Sequence, residues 1–324
     1  MPSTTVNAGE GANTITGTSG DNEIYAGAGA DTIAVTSGDN TIDAGGGANT
    51  ITATTGNNTI TTGAGADTIT LTSGDNTIDA GDGANTITAT SGNNTITSGA
   101  GVDTVTVTSG NNTIDVGDGA NTVTAAWGNN VILGGDGIDT VTTGDGNNII
   151  RVGNGANTVT TGAGVDQVYT GVDIDTITSG AGDDEIHILG GTDTITAGAG
   201  TDTLFVDFSA AAGAVTMSAL AGTASAGYAG NISGIGVATF AGVENFDITS
   251  GSFNDVITTG GGTDVVHAGG GNDTVNLAGG NDEAIYTMAA NAGAIDVYQG
   301  GAGVDTLTLE FTEAEWLSSG VQTD

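Results

Sequence analysis

From Val6 to Leu204 every ninth residue is Val, Ile or Leu, without one insertion. An apolar step held in phase for most of a chain marks a solenoid, in which each turn stacks on the one before and buries its apolar residue against its neighbours. Each unit reads as a Gly-rich turn followed by a short strand, as in Gly63-Ala64-Gly65-Ala66-Asp67-Thr68-Ile69-Thr70. Alternate side chains of a strand face opposite sides, so Ile69 points inward and Thr68 and Thr70 outward. Two units make an eighteen-residue coil. The expected fold is therefore all-β: a parallel β-roll, or β-solenoid, with two parallel sheets.

The chain has 324 residues, 60 of them Gly, with 38 acidic residues and a single basic one, Arg151, for a formal charge of −37. Phosphate contacts need Lys and Arg, so nucleic acid is excluded as a direct partner. The balance points to a cation instead. Neutralising the chain with divalent ions would take roughly eighteen calcium ions as an upper bound, calcium being the hard cation that carboxylates and carbonyls suit. There is no Cys, so neither disulfides nor thiolate metal sites contribute. The opening MPSTTVNAGEG has neither a basic region nor an apolar core, so no cleavable secretory signal is expected. No apolar run approaches membrane-spanning length, and no membrane insertion is expected.

The two halves of the coil differ. One carries GxGx(D/N)T(I/V)T, as at Ile33, Ile51, Ile69 and Ile87; the other carries TSG(D/N)NTI, as at Ile42 and Ile78. A 36-residue near-repeat is superposed, so the tract grew two coils at a time. The phase breaks after Leu204. The expected organisation is a repeat roll over 1–205, an acid-poor β excursion over 206–247 leaving the roll as strands or hairpins, and a second block with an amphipathic tail, EFTEAEWLSS, over 248–324.

These units resemble the RTX (repeats-in-toxin) nonapeptide GGxGxDxUx, with U a large apolar residue. The match is complete at GGDGIDTV (134–141) and GGAGVDTL (300–307), and close at GGGTDVV (260–266) and GGGNDTV (269–275). The resemblance implies a β-roll that folds on binding several calcium ions outside the cell, after type I secretion with an uncleaved C-terminal signal. It also implies ligands: turn carbonyls and the Asp two residues before U. Carried over, these are Asp31, Asp67, Asp103, Asp139, Asp175 and Asp193 on one edge, Asp166, Asp184 and Asp202 on the other, then Asp255, Asp264, Asp273, Asp282 and Asp305.

The departures from that pattern carry information. On the first edge Asn13, Asn49, Asn85, Asn121 and Asn157 alternate with the aspartates. Carboxylates one coil apart repel by about 1 kcal/mol at water-like dielectric, and alternation halves that load. The opposite edge carries Asn22, Asn40, Asn58, Asn76, Asn94, Asn112, Asn130 and Asn148 in register, read as an amide ladder with calcium only from Asp166 onward.

No catalytic constellation appears. His187 and His267 are isolated, there is no HExxH, and the serines lie in turns without a base, so an enzyme is not expected. Paired threonines such as Thr86/Thr88 and Thr104/Thr106 line one outer sheet; Thr is a good exposed strand former, and an ice-binding or adhesive face is the alternative. Trp127, Val131, Leu133, Ile149, Tyr169 and Phe205 occupy outward positions near Arg151 and His187, a patch suited to docking the excursion or another subunit. At the other end the register opens at Val6 and Ile15 without a capping element, which favours head-to-tail self-association. The expectation is a secreted, calcium-stabilised structural protein building a filament, surface layer or biofilm matrix. The alternatives are an ice-binding or adhesive solenoid and an accessory region of a larger secreted protein.

Overall fold

In the computed structural model, which describes residues 3–217, 220–291, 293–312 and 315, every named element is a β-strand. The chain divides into two compact units, Met1–Tyr169 and Thr170–Asp324.

In the first unit the coil has the eighteen residues the period demands. One sheet stacks strands such as Thr68–Leu71, Thr86–Ala89 and Thr104–Val107, with Ile69 beside Ile87 and Ile87 beside Val105. The other stacks Thr77–Asp79, Thr95–Thr97 and Thr113–Asp115, with Ile78, Ile96 and Ile114 in line. All these pairings are parallel. From Ile24 onward the ninth-residue series is fully buried, and small residues such as Ala26, Ala44 and Ala53 fill the spaces between rows. Each buried Ile contributes about 1.5–3 kcal/mol, so the core is thin but repeated. Val6 and Ile15, in the first coil, are only half-buried.

The turns stack as regularly as the strands. The Gly65 N–H donates to the Asp82 carbonyl at 2.9 Å, and the Thr68 N–H to the Asn49 carbonyl at 2.8 Å, so hydrogen bonding continues round the corner. Gly65 is required twice over. Its φ of +151° is one that L side chains rarely adopt, and an added Cβ would lie 2.1 Å from the Gly47 carbonyl oxygen of the coil below.

The second unit keeps the parallel stacking through Glu185–Ile188, Thr203–Asp207, Asn245–Thr249, Val265–His267, Glu283–Thr287 and Thr306–Glu310. The excursion is a hairpin, Gly227–Gly234 against Gly236–Val243, but it does not leave the sheets. Its second strand lies parallel on Thr194–Thr196 with Phe240 beside Ile195, and Thr216–Met217 lies parallel on Val256–Thr258. Bulky apolar residues explain the difference: Phe208, Phe240 and Phe246 are fully buried, with Phe240 and Phe246 meeting edge to face at 5.2 Å. Leu204 pairs with Phe246 and Val206 with Ile248, so the repeat resumes two residues out of phase. Because strand side chains alternate, a shift of two keeps the apolar row inside. The amphipathic tail expected from Glu310 lies outside the described residues beyond Thr312, Glu315 excepted.

Replacing Gly65 by Ala is expected to cost roughly 2–4 kcal/mol through backbone strain and overpacking. Gly213→Ala, whose Cβ would meet nothing within 4 Å, should change little. Urea midpoints in saturating calcium separate the two; equal midpoints would contradict the stacked-turn geometry.

Candidate metal-binding edges

Two rows of turns bring one residue per coil to the inner rim of each edge, two positions before the buried apolar residue. On the first edge of the first unit these are Asn13, Asp31, Asn49, Asp67, Asn85, Asp103, Asn121 and Asp139. Asp and Asn here make the same first contact. From Asp31 onward, Oδ1 of each accepts the backbone N–H of the residue one coil earlier, Asp67 from Asn49 at 2.6 Å and Asn85 from Asp67 at 3.0 Å. The second side-chain atom must therefore face the same place in both.

In the Asn coils that place is a cage of carbonyl oxygens. Nδ2 of Asn13 donates to the Gly9, Gly11 and Ala26 carbonyls at 3.0, 2.8 and 3.0 Å; Nδ2 of Asn49 reaches Gly45, Gly47 and Thr62 at 3.3, 3.0 and 3.4 Å. The cage is built of two carbonyls from the residue's own turn and one from the next coil. In the Asp coils the atom in this place is Oδ2, an acceptor among acceptors. Oδ2 of Asp31, Asp67, Asp103 and Asp139 is buried without a hydrogen-bond partner. Such an atom costs of the order of 1–3 kcal/mol or more. A cation, or a proton, would reverse that cost. No group of three acidic or His side chains converges among the described residues, so any ion would be held mainly by backbone oxygens, a hard-oxygen shell that suits calcium.

The second unit repeats the arrangement. Oδ2 of Asp193, Asp202, Asp255, Asp264, Asp273 and Asp282 is likewise buried and orphaned. Asp175 and Asp184 are buried in the equivalent rim positions, as is Asp166 near the end of the first unit, whereas Asp305 is exposed. Burial raises the pKa of Asp67, Asp103, Asp255 and Asp282, and pushes Asp139, Asp202 and Asp273 up to about 6 and Asp193 and Asp264 to about 7.

Two rim residues escape the nine-residue count. Glu244 accepts the Asp202 N–H at 2.8 Å, and Asp296 accepts the Asp273 N–H at 2.9 Å with its own Oδ2 orphaned. Each stands two residues before a large aromatic, Phe246 or Tyr298. That spacing was the available signal, hidden because excursion and insertion move them out of step.

The opposite edge of the first unit is closed by amides. Nδ2 of Asn76 donates to Oδ1 of Asn94 at 3.0 Å, Asn94 to Asn112 at 3.0 Å, Asn112 to Asn130 at 2.9 Å and Asn130 to Asn148 at 3.1 Å. The row ends on a carboxylate, with Asn148 donating to Oδ1 of Asp166 at 2.9 Å. The ladder expected from the sequence is therefore present.

A family model for the RTX calcium-binding nonapeptide repeat, spanning four copies at a time, matches residues 7–42, 43–78, 70–105, 79–114, 106–141, 142–177, 169–204 and 249–284. The chain belongs to that family. RTX nonapeptide repeats bind calcium at multiple sites, and calcium is the cofactor of this chain. No curated protein matches it. The calcium-binding repeats and the parallel solenoid are as the sequence suggested, and RTX repeats are typical of secreted, non-catalytic regions. Among the described residues no helix is long and apolar enough to cross a membrane.

The outward residues fall in two places. Val131 and Ile149 are half-buried neighbours on adjacent strands, Leu133 pairs with Arg151, and the Arg151 guanidinium lies 4.3 Å from the Tyr169 ring centre. Trp127, 56% exposed, ends the strand Thr122–Trp127 and pairs with Asp145, so it sits in a strand where the sequence suggested a turn. In the second unit Phe205 stacks on His187 at 4.1 Å beside a hollow of about 270 Å³.

The raised carboxylate pKa values set the sign of a pH response. The folded state holds protons that the unfolded chain releases near 3.8, so ion-free stability is greatest below that value and is lost as pH rises to about 6–7. In excess chelator, β-structure by circular dichroism should increase from pH 7 to pH 5. In calcium the trend should reverse, because protons compete with the ion. Parallel slopes in the two conditions would contradict the cage assignment.

Proposed function

We propose that this is an extracellular structural protein in which calcium completes the carbonyl cages of the aspartate coils and the finished solenoid associates with further copies of itself. The observation that carries the reading is the contrast along one edge. An Asn nitrogen satisfies one cage, and in the next an orphaned carboxylate oxygen faces the same set of carbonyls. The ligands are Asp31, Asp67, Asp103, Asp139, Asp166, Asp175, Asp184, Asp193, Asp202, Asp255, Asp264, Asp273, Asp282 and Asp305, with Glu244 and Asp296 joining them. The amide-closed edge takes no ion.

The repeats occupy nearly all of this chain, and no nucleophile–base pair is assembled in them, so the material itself is the function. The half-buried Val6 and Ile15 form an apolar step onto which a strand of a second copy would pack head to tail, and such a heterologous contact propagates into a filament. The outward residues from Val131 to Phe205 would tie neighbours sideways in a surface layer or biofilm matrix. The Thr array supports a second reading: Thr86 stands beside Thr104 and Thr88 beside Thr106 in a regular outward row, suited to ice or to another ordered surface.

Negative-stain microscopy with and without calcium tests assembly. Filaments or sheets are expected only with calcium, and Val6→Lys with Ile15→Lys should give folded monomers. Monodisperse wild-type protein at high calcium would overturn self-assembly, and ice shaping by that protein would favour the Thr face.

The edge assignment has its own test. Asn85→Asp replaces a satisfied cage by an orphaned one and should add about one calcium to the stoichiometry by isothermal titration calorimetry, whereas Asp103→Asn should remove about one. Unchanged stoichiometry in both would show that the rim residue does not decide occupancy.

A further inference from the structure

Five residues before the rim position, where the family pattern places its first glycine, some coils carry a hydroxyl, and nearly all of those coils have Asp at the rim. Before Asn13, Asn49 and Asn85 the residue there is Ala8, Ala44 and Ala80; before Asp67 and Asp103 it is Thr62 and Ser98. The second unit repeats this with Ser250 before Asp255 and Thr259 before Asp264. Asp31, Asp139, Asp193, Asp202, Asp273, Asp282 and Asp305 have Ala26, Gly134, Ile188, Ala197, Ala268, Leu277 and Gly300 there, so the hydroxyl recurs in aspartate coils without being universal. Thr143, before Asn148, is the counterexample.

These hydroxyls are buried, Thr62 and Ser98 completely. A buried hydroxyl is costly where alanine would fill the space, unless it is hydrogen-bonded. Thr62 Oγ1 donates to the Ala80 carbonyl at 2.9 Å, Ser98 Oγ to Val116 at 3.2 Å, Ser250 Oγ to Ala268 at 2.9 Å and Thr259 Oγ1 to Leu277 at 3.3 Å. Each acceptor lies thirteen residues after its aspartate, which is the cage carbonyl contributed by the next coil. Each hydroxyl also pulls the pKa of that aspartate down, against the larger rise that burial causes. Thr143 Oγ1, beside an Asn cage, has no partner, and among the aspartate coils Thr170 Oγ1, before Asp175, has none either.

We propose that the hydroxyls of Thr62, Ser98, Ser250 and Thr259 are positioning residues for calcium, each handing a cage carbonyl to the ion while holding the ligand carboxylate in place. A hydroxyl has one proton for two acceptors. Rotation of the Thr62 O–H away from the Ala80 carbonyl and towards Asp67 would leave that carbonyl available to an ion. This inference rests on the calcium reading above and adds residues outside the family pattern.

The test uses the full chain. Thr62→Val with Ser98→Ala should weaken calcium binding at two sites by about tenfold, the usual effect of removing an outer-shell partner of a metal ligand. Thr62→Ser should restore its site, and Thr143→Val should leave calcium affinity unchanged. Terbium luminescence lifetimes, which count water on the bound ion, are expected to report added water in the double variant and none in Thr143→Val. Unchanged affinity and lifetime in the double variant, or an equal loss in Thr143→Val, would overturn the role. A wild-type chain that takes up no calcium would sink the calcium reading itself, and this inference with it.

Discussion

Stacking identical coils places the same polar atom at the same depth in every layer, and nothing inside the stack can move aside to hydrate it. The tight Gly turn directs carbonyl oxygens into a small space behind the rim residue. Each such cage must meet positive charge or a donor, because an unpaired buried acceptor costs more than a typical hydrogen bond returns. The fold therefore depends on what fills the cages, more than on its thin aliphatic core.

The chain answers in three ways. An Asn nitrogen fills a cage from within, as Asn13 and Asn49 do with three carbonyls each. An Asn in a continuous row passes its N–H to the next Asn, and the row closes on Asp166, where aligned amide dipoles end on an anion. An outer row runs the opposite way: the Asp39 N–H donates to Oδ1 of Asp21 and the Asn57 N–H to Oδ1 of Asp39. The aspartate cages remain, and they call for an ion. Choosing between Asn and Asp at one rim position thus decides whether a cage is filled from within or left facing an orphaned carboxylate oxygen.

The nine-residue step made the solenoid, the parallel sheets and both rims legible, because a strict period leaves one consistent way to stack. The amide ladder was legible for the same reason. The excursion was not, since Phe240 and Phe246 rejoin the sheets through size and hydrophobicity instead of spacing. Glu244 and Asp296 were missed because register in space survives insertions that destroy register in sequence. The buried hydroxyls were invisible for a different reason: Thr62 and Thr143 look alike in the sequence, and only the contacts of their hydroxyls distinguish them.

Asn and Asp are not spread evenly. In Met1–Tyr169 one edge is amide-closed and the other alternates, so at most a minority of cages demand an ion. In Thr170–Asp324 the nonapeptides carry Asp at 175, 184, 193, 202, 255, 264, 273 and 282, without an intervening Asn at the rim. Burial presses hardest on carboxylates of this second group, with Asp193 and Asp264 raised to about 7. Oδ2 of Asp193, Asp202, Asp255, Asp264, Asp273 and Asp282 is orphaned there, so on the proposed reading an ion between two such layers would relieve more than one carboxylate. If the aspartate rims take the ion, as proposed, calcium dependence is graded along the chain, with the amide-closed layers satisfied from within and the carboxylate layers left to the ion.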